Sequence, residues 1–102
     1  VANDYGYDRV FSRQVEAWGR AGDALIAIST SGQARNVNRA VEAGRDQGLR
    51  TIGLTGRDGG ELAGLVEIPL IVPGQSTPRI QEMHILIGHV LCDLVERELF
   101  GE

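Results

Sequence analysis

The chain has a single cysteine, Cys92, which rules out an internal disulfide and fits a reducing compartment. It has two histidines, His84 and His89, so a metal site would need ligands of other types or from elsewhere. No apolar run is long enough for a transmembrane helix, and no stretch reads as a secretory signal. Basic residues are not in excess. A net charge of −4 argues against a nucleic-acid partner held by charge neutralisation. Internal repeats and low-complexity segments are also missing. What is present is 102 residues, 42% of them hydrophobic, enough for one small globular domain and too apolar for a disordered chain. A cytoplasmic protein with no membrane contact is expected.

The most informative stretch runs from Gly22 to Thr55. Ala24–Ile28 is a short apolar run after a Gly-Asp turn, which predicts a strand buried on both faces. Ser29, Thr30, Ser31 and Gly32 interrupt it. From Ala34 the apolar period becomes helical, through Val37, Ala40, Val41 and Gly44, and Gly48 is placed to end the helix. Thr51–Leu54 reads as a second strand, completing a parallel βαβ unit. Three hydroxyl residues thus lie between a strand's carboxyl end and a helix's amino end, where free N–H groups and the helix dipole favour an anion. Ser29, Thr30 and Ser31 hold a phosphate there, or one of them merely caps the helix. The turn lacks the spaced glycines and the lysine of a Walker loop.

Around this unit, Val1–Asp4 reads as the end of a strand or loop continuing from something longer. Gly6–Gly19 reads as a helix with an apolar stripe of Val10, Phe11, Val15 and Trp18, the two aromatics being expected in the core. Gly56–Gly60 is a turn whose glycines serve positive φ or the approach of a ligand. Val66–Val72 reads as a third strand, placed at an edge by Pro69. Arg79–Leu99 is the longest helix, apolar on several sides in its first half and so buried or held between partners. Gln81, Glu82, His84 and His89 interrupt that half and need partners or water. His84 and His89 lie about 140° apart around the axis and cannot share one ion, whereas Gln81 and His89 lie within about 80° but roughly 12 Å apart along it.

Four stretches, Ala2–Val15, Gly22–Gly32, Leu54–Gly64 and Arg79–Leu94, together resemble the C-terminal half of bacterial phosphoheptose isomerases, members of the sugar-isomerase (SIS) family. The serine-rich turn is shared across many SIS domains. The pairing of AND-Y-GYD with RIQE…H is far more specific. The resemblance implies an α/β fold: a three-layer α/β/α, flavodoxin-like domain. Residues 1–102 would be the C-terminal part of that single domain, with about three strands where the family has five. It also implies a homotetramer. The implied activity is aldose–ketose isomerisation of sedoheptulose 7-phosphate to D-glycero-D-manno-heptose 7-phosphate through an enediol, for lipopolysaccharide precursor synthesis.

By match of motif, Asn3 and Asp4 touch the sugar, and Ser29, Thr30 and Ser31 the phosphate. Gln81 and His89 touch substrate and a zinc ion whose other ligands lie in the family's first half. His89 is then one member of an acid/base pair, a role suited to a side chain that titrates near neutrality. His84 matches no site residue. One departure is visible. The family turn reads STSGNS and its last serine also contacts phosphate, whereas here Ala34 stands in that place. Two other readings follow from relatives of the same family. One is a non-catalytic module that binds the replication initiator protein; the relative with that role lacks a histidine matching His89. The other is a domain that senses a sugar phosphate.

Overall fold

In the computed structural model, which describes residues 9–101, each apolar period of the sequence becomes an element of a parallel α/β layer. Helix α1 (Val10–Trp18) packs on helix α2 (Arg35–Asp46). The side chain of Gln47 locks the pair by donating to the carbonyls of Gly19 at 2.8 Å and Val15 at 3.4 Å. The crossover through α2 joins strand β1 (Ala24–Ile28) to strand β2 (Arg50–Gly56), in register from Ala24 beside Arg50 to Ile28 beside Leu54. Gly48 ends the helix as expected, at φ +83°. The short helix α3 (Gly60–Leu65) then leads to strand β3 (Ile68–Val72), parallel to β2. Helix α4 (Thr77–Phe100) closes the described chain, starting two residues earlier than the sequence predicts. Pro78 lies in its first turn, where a missing N–H leaves no bond unmade.

The strand order is β1-β2-β3, with β2 in the centre. Alternation along β2 assigns the layers. A Cβ on Gly53 would meet Val66 and Leu62, while one on Gly56 would meet Ile80. Helices α2 and α3 therefore cover one face and α4 lies on the other. The core sits under α2 and α3, where Ala27, Val41, Leu62 and Val66 are buried together with Leu25, Val37 and Leu65 packed around them. Each fully buried aliphatic side chain contributes about 1.5–3 kcal/mol there.

Pro69 lies on an edge strand, as its missing donor requires. Two burial expectations fail, and for the long helix the alternative of cover by partners is left. Strand β1 is also an edge and buries only Ala27, leaving Ile26 and Ile28 half exposed on the α4 side. Trp18 is 82% exposed and Phe11 40%; both line an open groove along the flank of β1 instead of entering the core. Helix α4 buries only Ile80 and His84. Most of its other apolar side chains, Leu86, Val90, Leu94 and Leu99 among them, are exposed. The cause is common to all three. An apolar pattern reports a demand for cover, and the described elements do not supply it. No described helix is long and apolar enough to cross a membrane.

Candidate active site at the carboxyl edge of the sheet

Strand β1 continues its pairing one residue past Ile28, where the Ser29 N–H donates to the Leu54 carbonyl at 3.0 Å. The chain then turns. The Gly32 N–H donates to both the carbonyl and the hydroxyl oxygen of Ser29, each at 3.1 Å. The Gln33 N–H donates to the Ser31 hydroxyl oxygen at 3.1 Å. These bonds use only the acceptor side of each hydroxyl, so both O–H protons remain to be donated. The helix itself starts later. Its N-cap is Ala34, in extended geometry with no side-chain cap, so none of the three hydroxyls caps α2. Hydroxyl donors at the positive end of a 12-residue helix form an environment that favours a phosphate.

The turn is held from behind by the glycine-rich loop after β2. The Leu62 N–H donates to the Gly32 carbonyl at 2.9 Å, and the Asn38 amide reaches the same oxygen at 3.4 Å. The Glu61 N–H donates to the Gln33 side chain at 3.4 Å. Gly32 and Gly60 stand backbone to backbone: a Cβ on Gly60 would collide with the Ser31 carbonyl, and one on Gly32 with the Gly59 carbonyl. The positive-φ reading is met at Gly59 and Gly60, which also permit the close approach of the hydroxyl turn.

Helix α4 brings Gln81 and His89 to one open cleft of about 600 Å³, shared with Ile28, His84, Gly88 and Cys92. The cleft runs along the helix, so both residues line it despite their axial separation. Ile28, on the wall of this cleft, immediately precedes Ser29, whereas Ser31 lines a separate pocket with Gln33, Arg57, Asp58 and Gln75. His84 is buried, as a hydrogen-bonded core residue should be. Its Nε2–H donates to the Thr55 carbonyl at 2.8 Å, which fixes the tautomer and leaves Nδ1 buried without a partner.

Asn3 and Asp4 lie outside the described residues. Ser29, Thr30 and Ser31 lie together on the turn, and Gln81 and His89 lie together on the cleft. Among the described residues no group of three or more His, Cys, Asp or Glu is placed to hold a metal ion. An imidazole nitrogen is a usual zinc ligand and an amide oxygen an acceptable one, so His89 and Gln81 fit part of a tetrahedral shell. Arg57 is a residue that the sequence reading passed over. It adopts φ +56°, unusual for a side chain of its size, and its Nη2 donates to the Thr77 hydroxyl at 2.9 Å. Nothing local in the sequence signals this, since the partner lies 20 residues away.

A parallel sheet with a serine-rich turn and a histidine-bearing helix at its carboxyl edge defines a SIS domain. The SIS-domain family model matches residues 1–56, and the chain belongs to that family. Within it, the chain is similar to phosphoheptose isomerases. It is 55% identical over 102 residues to that of Sulfurimonas denitrificans, covering 100% of this chain and 52% of the relative. It is 60% identical over 100 residues to that of Citrifermentans bemidjiense, covering 98% of this chain and 52% of the relative. The solved phosphoheptose isomerase of Neisseria gonorrhoeae matches with a TM-score of 0.89 at 52% identity, over 92% of this chain and 54% of that one. The Francisella tularensis enzyme matches with a TM-score of 0.91 at 41% identity, over 95% of this chain and 52% of that one. The chain spans about half the length of the curated relatives it matches.

Proposed function

We propose that residues 1–102 are the C-terminal part of a single SIS domain in a phosphoheptose isomerase, which converts sedoheptulose 7-phosphate to D-glycero-D-manno-heptose 7-phosphate. The observation that carries the reading is that Gln81 and His89 line one cleft whose wall includes Ile28, the residue before the Ser29–Ser31 turn. The turn takes the phosphate through its hydroxyl protons and the α2 dipole. The sugar then lies along the cleft, with Asn3 and Asp4 assigned to its hydroxyls by motif.

Isomerisation moves a proton between adjacent carbons through an enediol and needs an acid and a base. His89 serves as one of them, and the other comes from the part of the enzyme beyond this chain. Zinc held by Gln81 and His89 with further ligands from that part would supply polarisation of the carbonyl. The full enzyme is a cytoplasmic homotetramer feeding heptose into lipopolysaccharide precursors. Its substrate is a sugar phosphate, and neither nucleic acid nor membrane is a partner.

The test is turnover of sedoheptulose 7-phosphate by the full-length protein, followed by NMR, with and without a chelator and with His89→Ala. The reading expects formation of the manno-heptose phosphate and its loss in the variant and on chelation. Wild-type kcat in His89→Ala would refute the role of His89. One observation favours a non-catalytic, partner-binding module instead, namely the hydroxyl-free N-cap at Ala34. No turnover by folded, zinc-supplied protein would move the assignment there, and a pull-down with the replication initiator protein would then decide it.

A further inference from the structure

Helix α4 carries both Gln81 and His89, yet it touches the sheet through very few side chains. Three of them fall at positions 77, 80 and 84, a spacing that puts them on one helical stripe. They meet three consecutive residues, the last two of β2 and the residue after it, in reverse order. Thr77 accepts a hydrogen bond from Arg57 at 2.9 Å. Ile80, 1% exposed, sits where Gly56 has no side chain; a Cβ there would come within 2.5 Å of the Ile80 Cδ1. His84, 5% exposed, donates to the Thr55 carbonyl at 2.8 Å. Beyond His84 the helix has no further buried residue. The stripe therefore sets the height and rotation of α4 on the sheet. The unusual backbone of Arg57 has a purpose here, since it directs the guanidinium toward the start of the helix.

We infer that His84 is a positioning residue: its Nε2–H bond to the Thr55 carbonyl, with Arg57–Thr77 as a second tie, holds α4 so that Gln81 and His89 face the cleft. The inference rests on the isomerase reading for its kinetic consequence but not for its geometry. Ile80 seats the helix at Gly56 by packing. The two polar ties add direction, because a hydrogen bond weakens steeply once its distance and angle are lost. His84 also touches the cleft through its ring, so a shift of this residue alters the wall between Gln81 and His89.

The experiment uses full-length protein carrying His84→Leu, His84→Gln or Thr77→Val. A glutamine amide can place a donor near the position of Nε2, whereas leucine cannot. Expected for His84→Leu is a kcat at least tenfold lower with KM within twofold, since the phosphate turn is untouched. His84→Gln should recover most of that loss, and Thr77→Val should lower kcat about threefold. The independent readout is the imidazole carbon–proton NMR signals of His89. These should move in His84→Leu and return in His84→Gln. A folded His84→Leu with unmoved His89 signals overturns the proposal, whatever its activity. Equal kcat in wild type and His84→Leu does so as well. Should His84→Leu fail to fold, unmoved His89 signals in Thr77→Val overturn it. If the wild type itself shows no turnover, the isomerase reading fails, and the His89 signals alone decide the positioning role.

Discussion

Ala34 occupies the position from which a helix is capped, and it has no side-chain oxygen to do so. Ala34→Ser should stabilise the protein by about 1 kcal/mol through a new N-cap bond. For a full-length domain of about twice this length, as in the relatives the chain half covers, that corresponds to a rise in Tm of roughly 2–4 °C. The same hydroxyl would stand beside the Ser29–Ser31 turn. Calorimetric titration with inorganic phosphate should therefore show severalfold tighter binding. A higher Tm without tighter binding would place the anion elsewhere.

Glu67 makes a second residue-scale case. Its carboxylate accepts from the Arg50 Nε at 3.0 Å and from the Thr51 N–H at 3.2 Å. The Arg50 hydrogen bond first, and the Thr51 N–H second, hold its carboxyl below the ordinary value of 4.5. The unfolded chain therefore takes up this proton first as the pH falls, so the stabilisation is present above about 4.5 and is lost through the lower folded-state value. Denaturant midpoints of wild type and Glu67→Gln should differ at neutral pH and converge under acid. The side chain is exposed, so the difference is small and should shrink further in high salt.

At the scale of elements, the contact between β2 and α4 is the sensitive one. Gly56 faces Ile80, with a Cβ expected 2.5 Å from Cδ1 and 2.7 Å from Cγ2. Ile80 is buried and cannot swing clear. Gly56→Ala should therefore cost about 1–3 kcal/mol by overpacking. On the isomerase proposal it should also lift α4 and lower kcat of the full-length protein, which urea denaturation and steady-state kinetics would separate. Gly53→Ala supplies the control on the opposite face, where the nearest neighbours are Val66 and Leu62 at 3.1–3.3 Å. It should destabilise without a selective loss of kcat.

Much of this architecture was legible in the sequence. The change of period at Ala34 located α2, Gly48 its end, and Pro69 an edge strand. The hydroxyl turn fell where local pattern put it. His84 was legible as a satisfied core histidine but its partner was not, because Thr55 lies 29 residues away and local periodicity carries no such information. Gln81 and His89 line one lengthwise cleft, which a helical wheel does not show. Arg57 was missed for the same reason as Thr55: its strained backbone makes sense only once α4 lies beside it.

For the whole molecule the deciding quantity is surface. A folded monomer of 11.0 kDa exposes about 5,600 Å² by size scaling, and this chain exposes 6760 Å². Its radius of gyration is 14.2 Å, against about 12.8 Å for a compact domain of the same length. The surplus is apolar in its described part: Trp18, Ile26 and Ile28 on one flank, and Ile85, Leu86, Val90, Leu94 and Leu99 along α4. Among the described residues, strand β1 adds an edge with no neighbouring strand on its outer side. Apolar patches of this extent are uncommon on isolated soluble monomers and associate in water. The 102-residue polypeptide studied alone should therefore be weakly stable, bind a hydrophobic dye, and sediment with a concentration-dependent mass. The full-length protein should show none of the dye binding, because the same side chains are then covered. Since the cleft at Gln81 and His89 is an opening in this same uncovered face, cover and site completion are one event. A sharp, concentration-independent thermal transition of the isolated 102 residues as a monomer would contradict both.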